Sequence, residues 1–75
     1  MPLLLSVHYP SHVDEFEIQP DDSPRGVLVV GRFLRVSSFE PEYVVIEASL
    51  GSLRIDRGES RTFEFMGVPI TGRLE

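Results

Sequence analysis

His8 and His12 stand close together with Asp14, Glu15 and Glu17 just behind them, and these are side-chain types that bind divalent metal ions or carry protons. On a helix, a spacing of four would put both imidazoles on one side, which is how such pairs chelate. Pro10 lies between them, however, and makes the segment strand and turn, where that spacing fixes no common direction. The expectation is therefore a solvated strand end, with neither a bound metal nor a cofactor.

The remaining candidates for chemistry weaken in the same way. Carboxylates recur in pairs at Glu15 and Glu17, Asp21 and Asp22, and Glu40 and Glu42. General acid–base work needs one carboxyl shielded in an apolar pocket, and turns or a wet strand face provide none. The chain has serines and histidines but no Gly-x-Ser-x-Gly elbow, and neither glycine-rich phosphate cradle is present. It has no Cys, which removes thiolate chemistry, cysteine-based zinc sites and disulfides. No catalytic residue is assigned, and the chain is read as a non-enzyme.

Seven arginines, Arg25, Arg32, Arg35, Arg54, Arg57, Arg61 and Arg73, supply all the cationic side chains besides His. Gathered on one face with Phe33 or Phe39 they could stack single-stranded nucleic acid. Against that stand twelve carboxylates and a net charge of −5, a field that repels phosphate. Pairing of each arginine with a nearby carboxylate, such as Arg54 with Glu47, is the competing expectation.

The elements that must position these residues are strands. Leu3, Leu5, Val7 and Tyr9 alternate with Leu4, Ser6 and His8, and Phe16 and Ile18 alternate with Glu15 and Glu17, which reads as a charged edge strand. Gln19 to Gly26, QPDDSPRG, has the composition of a loop. Val27 to Val30 is continuously apolar and reads as covered on both faces, and a β-bulge near Gly31 keeps the strand in register through Val36. A loop over Ser37 to Glu42 follows. Then Tyr43 to Ser49 and Leu53 to Asp56 read as a hairpin, with Val44 and Ile46 facing one way and Val45 and Glu47 the other. Asp56 to Ser60 is a turn before Phe63 and Phe65, Gly67 to Pro69 another, and Ile70 to Leu74 closes the chain. About six or seven short strands with frequent turn signals predict a single all-β domain over residues 1–75, a small antiparallel β-sandwich or partly open barrel.

Length and composition complete the expectation. Leu, Ile, Val and Phe make up 26 of 75 residues, enough apolar surface for a folded core. A core this small contributes only roughly 3 to 5 kcal/mol, so a partner that covers further apolar surface would add stability. No basic segment precedes Leu3 to Leu5 and no stretch has membrane-spanning length, so the expected compartment is the cytoplasm and no membrane partner is expected. The function expected is a non-catalytic protein-binding module that self-associates, as a homodimer, in a small regulatory or assembly component. Val27, Val29, Phe33, Tyr43 and Val45 are the apolar contacts expected, and Glu15 and Glu17 the charged ones. Two other readings are an acidic inhibitor or decoy for a basic partner and single-strand nucleic-acid binding, which the net charge disfavours.

Overall fold

A computed structural model of the chain describes residues 3–19, 22–40, 42–48 and 51–75, without the side chains at 22, 23 and 39. Its elements are eight strands: β1 (Leu3–Tyr9), β2 (His12–Ile18), β3 (Asp22–Val29), β4 (Arg32–Glu40), β5 (Tyr43–Ala48), β6 (Gly51–Asp56), β7 (Ser60–Phe65) and β8 (Val68–Leu74). They form two four-stranded antiparallel sheets, ordered β2-β1-β8-β7 and β3-β4-β5-β6, packed face to face. This is the sandwich of the two architectures expected. No helix among the described residues is long and apolar enough to cross a membrane.

Alternation determines which way each strand faces. Leu3, Leu5, Val7 and Ile18 from one sheet meet Val27, Val29, Leu34, Val36, Val44, Ile46 and Ile55 from the other, and Ile70 and Leu74 of β8 complete the filling. Burying an aliphatic side chain of this kind contributes about 1.5–3 kcal/mol against leaving it in water, which is why the inward set is so uniform. Gly72 lies among them, and a Cβ there would sit 2.9 Å from Ile55 Cδ1, so any other residue would require the buried Ile55 side chain to shift.

Eight strands are present instead of six or seven because one expected strand is divided by a turn, and two expected loops are also largely strand. Val30 and Gly31 are no bulge. They are the two central residues of a hairpin turn, with φ of 53° and 71°, the sign pattern of a type I′ turn. The run Val27 to Val36 is consequently two antiparallel strands, paired through Val29↔Arg32 and Leu28↔Phe33. Covering is one-sided: Val27 and Val29 point into the core, while Leu28 and Val30 are exposed.

The expected loop at Gln19 to Gly26 is strand from Asp22 onward, with an irregular register between Asp22 and Arg25. Pro24 is tolerated there because β3 is an edge strand, where a missing N–H leaves no ladder bond unmade. Likewise β4 runs to Glu40 through an irregularity after Ser37, and the buried Ser38 hydroxyl, 2.9 Å from Glu40 O and 3.2 Å from Tyr43 O, ties down the connection. The last turn is Met66-Gly67, and Val68 and Pro69 already belong to β8. Expectations that fell on Pro20, Asp21, Pro41, Ser49 and Leu50, or on the side chains of Asp22 and Phe39, lie outside the described residues.

Candidate functional site

The outer face of the β3-β4-β5-β6 sheet holds the least expected surface. Leu28 on β3 and Phe33 on β4 are directly opposite one another and 56% and 72% exposed. One local reason for Phe33 is Gly26. A Cβ at Gly26 would lie 3.0–3.2 Å from the Phe33 side chain, so the ring rests on bare glycine backbone. That contact covers one side of the ring only and leaves the other to solvent.

Two ion pairs continue the face. Arg35 Nε is 3.2 Å from Glu47 Oε2 across β4 and β5. Further along, Arg54 Nε donates to Asp56 Oδ1 at 2.7 Å, and the Arg54 guanidinium lies 3.9 Å above the Tyr43 ring centroid. The Arg54 guanidinium bonded to Asp56 holds that carboxyl below its usual value, and Asp56 in turn holds Arg54 further in its charged form. The expected Arg54–Glu47 pair does not form, because the register sets Arg54 opposite Val45 and Glu47 opposite Ser52. Arg35 and Arg54 cancel Glu47 and Asp56, so the ion-paired part of this face carries no net charge in a molecule of −5, and the exposed Glu40, opposite Tyr43, lies at its far end.

The outer face of the β2-β1-β8-β7 sheet differs. Glu15 and Glu17 on the edge strand β2 and Glu64 on β7 are exposed, and Arg73 is paired with Glu75 at 3.2 Å. His8 also points outward here, between Val13 and Thr71. Beside it, Thr71 and Thr62 share a hydrogen bond of 3.1 Å.

At one end of the sandwich a polar cluster joins His12 and Asp14, two of the side chains singled out above, to Tyr9. Pro10 and Ser11, the latter with φ of 64°, close a two-residue hairpin that sets Tyr9 opposite His12. Tyr9 Oη donates to Asp14 Oδ2 at 2.7 Å, His12 Nε2 donates to Asp14 Oδ1 at 2.8 Å, and the two rings lie 5.1 Å apart. The bond to Asp14 pushes the Tyr9 phenol above its usual pKa, while a backbone hydrogen bond from Val30 pulls the other way. Asp14 is held below its ordinary value, chiefly by Tyr9 and then by His12. Only a drawn hairpin could have revealed this grouping, since Tyr9 and Asp14 become diagonal neighbours through the turn alone.

His8 and His12, paired in the sequence, point to opposite faces of their sheet. Among the described residues no three His, Asp or Glu side chains gather as metal ligands. A hollow of about 240 Å³ between the edge strands β6 and β7 has Leu53 and Phe63 in its lining and Glu64 as its one ionisable group. It brings no nucleophile and base together.

The expected contact residues are therefore scattered. Val27 and Val29 are core, Phe33 stands at one end of a neutral outer face, and Tyr43 and Val45 are half-buried beyond the Arg35–Glu47 pair on that face. Glu15 and Glu17 lie on the other sheet. Leu28 was missed because a run of four apolar residues does not say which two face out. No protein-family model, no curated protein and no solved structure matches this chain, so its own residues carry the functional argument.

Proposed function

We propose that this chain is a cytoplasmic, non-catalytic protein-binding module that pairs with a second copy of itself through the outer face of the β3-β4-β5-β6 sheet. The observation that carries this reading is the exposed cross-strand pair Leu28 and Phe33. Large aromatic side chains that stand free beside a balanced set of charges are the usual anchors of protein interfaces. Charge argues for a second copy. Two molecules of −5 repel, and the face where Arg35 and Arg54 offset Glu47 and Asp56 is where they meet with least repulsion. A two-fold axis lying in the plane of contact, along the strands between Arg35 and Glu47, also sets Arg35 of one copy against Glu47 of the other, a self-complementary arrangement. Face-to-face stacking suits β3 better than edge pairing, because Pro24 and the irregular register blunt that edge.

Sedimentation velocity over a range of concentrations tests it. The expected result is a monomer–dimer equilibrium at micromolar chain that shifts to monomer in Leu28→Ser. A wild-type chain that stays monomeric at about 100 μM, a level at which contacts of roughly −5 to −6 kcal/mol would be populated, overturns the proposal.

The exposed carboxylates of the opposite face favour a second reading, an acidic surface for a basic protein partner. Glu15 and Glu17 would then be the contacts, and binding would weaken steeply with salt. For the arginines, Arg35, Arg54 and Arg73 each lie against a carboxylate and are divided between the two outer faces, which supports neither stacking of nucleic acid nor a basic groove.

A further inference from the structure

We infer that the end of the sandwich where the Pro10-Ser11, Val30-Gly31 and Met66-Gly67 turns gather is a lipid-binding surface that inserts into the interfacial layer of a bilayer. The surface is a property of each copy, and its doubling in a dimer rests on the pairing proposed above.

Connectivity brings these turns together. Three residues separate Ile18 of β2 from Asp22 of β3, and three separate Asp56 of β6 from Ser60 of β7, so the sheets are joined at one end and the three two-residue turns lie at the other. Backbone bonds fasten the joined end, from Arg57 N to Glu42 O at 2.8 Å and from Gly58 N to Leu74 O at 2.7 Å. The molecule is 30 Å long in the direction of the strands, which keeps the two ends well apart.

Polarity differs between the ends. The large exposed apolar side chains among the described residues are Val13, Leu28, Val30, Phe33 and Met66, and each lies in a turn of the free end or within two positions of one. The joined end exposes Glu17, Glu40, Glu42, Glu59 and Glu75 instead. Val30 and Met66 each occupy the first central position of their turn at φ 53°, a left-handed conformation that favours Asn or Gly. Asn would both relieve the strain and hydrate better, so neither folding nor solubility accounts for valine and methionine there. Strain of this kind is kept where the side chain makes a contact.

The shape and charge of the free end select a bilayer as that contact. Its tips are separate protrusions, which a fluid acyl boundary surrounds without the matched pockets that a folded partner would have to supply. Arg32, Asp14 and Glu64, the charged groups of this end, carry one net negative charge between them, and both Asp14 oxygens are already bonded. Glu15 and the glutamates of the joined end lie farther from the tips than about 8 Å, the screening length at physiological salt, so neutral headgroups suffice and anionic ones repel little. A two-fold axis along the strands points both copies the same way. The dimer therefore presents two free ends on one side, and insertion of one seats the other. The expectation of no membrane partner rested on the lack of a spanning stretch, and an interfacial contact needs none.

Flotation of the full chain with vesicles of neutral phosphatidylcholine tests the surface. Half of the wild type is expected to float at about 1 mM lipid, with little change on adding salt or anionic lipid. Met66→Asn lies on the sheet away from the proposed contact face, at a turn that it should stabilise. It is expected to bind about tenfold more weakly while dimerising as wild type does. Met66→Trp introduces a single Trp into a chain that has none, and lipids brominated on their acyl chains are expected to quench it, whereas Glu59→Trp at the joined end stays bright.

No flotation at about 10 mM lipid overturns the inference, because a lone myristoyl chain half-binds at roughly a hundredth of that level. Undiminished binding of Met66→Asn, or quenching of Glu59→Trp as strong as that of Met66→Trp, overturns it by placing the contact elsewhere. A tetramer that Met66→Asn returns to a dimer, without flotation, would mean that the free ends meet each other and not lipid. Met66-dependent flotation by a chain that sediments as a monomer leaves the lipid surface standing and removes the dimer, and a dimer that never floats does the reverse.

Discussion

The outer face of the β3-β4-β5-β6 sheet and that of the β2-β1-β8-β7 sheet are built from equal numbers of antiparallel strands, with inward residues that share one core, yet they meet water differently. The first balances two arginines against two carboxylates and exposes an aromatic–aliphatic pair. The second exposes Glu15, Glu17 and Glu64, and its Arg73 is taken up by Glu75. The inward half of each strand is under one demand, close packing, and converges on Leu, Ile and Val. The outward half is free of that demand, so its composition carries the information about partners.

The comparison breaks most directly at Phe33. Phe33→Asp places a charge within the proposed contact and removes its largest apolar side chain, and it is expected to weaken self-association by about 100-fold or more. The fold should persist, because 72% of the side chain is already in water. Glu15→Gln with Glu17→Gln, on the other face, should leave the dimer unchanged or slightly tighter, since it lowers net repulsion. Sedimentation equilibrium compares the two. Equal loss in both would mean that the faces do not differ in role.

Turn chemistry sharpens the comparison further, since each sheet has one turn with a poor residue in the left-handed position. Val30→Asn and Met66→Asn should each raise stability by about 0.5–1 kcal/mol, read as a higher denaturant midpoint with unchanged slope. Only Val30→Asn touches the hairpin that presents Leu28 and Phe33, so only it should alter association. A Met66→Asn chain that dimerises differently from wild type would show that the contact extends to the other sheet.

These turns also mark the limit of what the sequence discloses. Alternation sufficed where apolar and polar residues truly alternate: Leu3, Leu5 and Val7, Val44 and Ile46, and the edge strand with Glu15 and Glu17 all face as their order implies. It failed at Val27 to Val30, where both phases are apolar, and a Val-Gly turn without Asn or Asp has no local signature. It failed again at QPDDSPRG, whose turn-like composition is compatible with an edge strand because an edge tolerates Pro24. The Tyr9, His12 and Asp14 cluster depends on a two-residue hairpin, and the histidines drew attention as a pair when their real neighbours were an aspartate and a tyrosine.

Acid should act on that cluster and on the neutral face by the same rule. Asp14 and Asp56 have folded pKa values below their unfolded ones, held by Tyr9 and Arg54 respectively. Each thus contributes stability that is complete above the unfolded value and is lost as pH falls through the folded one. Tyr9 is the reverse case: its folded pKa is raised, so its contribution is present below the usual phenol pKa and is lost as pH climbs past the folded value. Asp14→Asn should flatten the fall in melting temperature between about pH 5 and pH 2, with the Asp56 contribution remaining. A fall as steep as in wild type would show that the Tyr9–Asp14 bond contributes nothing in solution.

The smallest effect expected concerns the ion pair between the apolar pair and Tyr43. Arg35 and Glu47 are more than half exposed, so in the monomer their attraction stabilises by less than about 1 kcal/mol and the exchange Arg35→Glu with Glu47→Arg should be nearly silent in thermal unfolding. In a dimer related by a two-fold axis the same groups also face their counterparts. Arg35→Glu alone then sets like charges across the interface and should weaken association about fivefold, and the double exchange should restore it. Restoration requires that the two positions meet across the axis, because a contact made elsewhere on the molecule would treat the reversal of both charges as no change at any step. A single substitution as silent as the double would place the second copy away from Arg35, and with it the reason for choosing the neutral face over the acidic one.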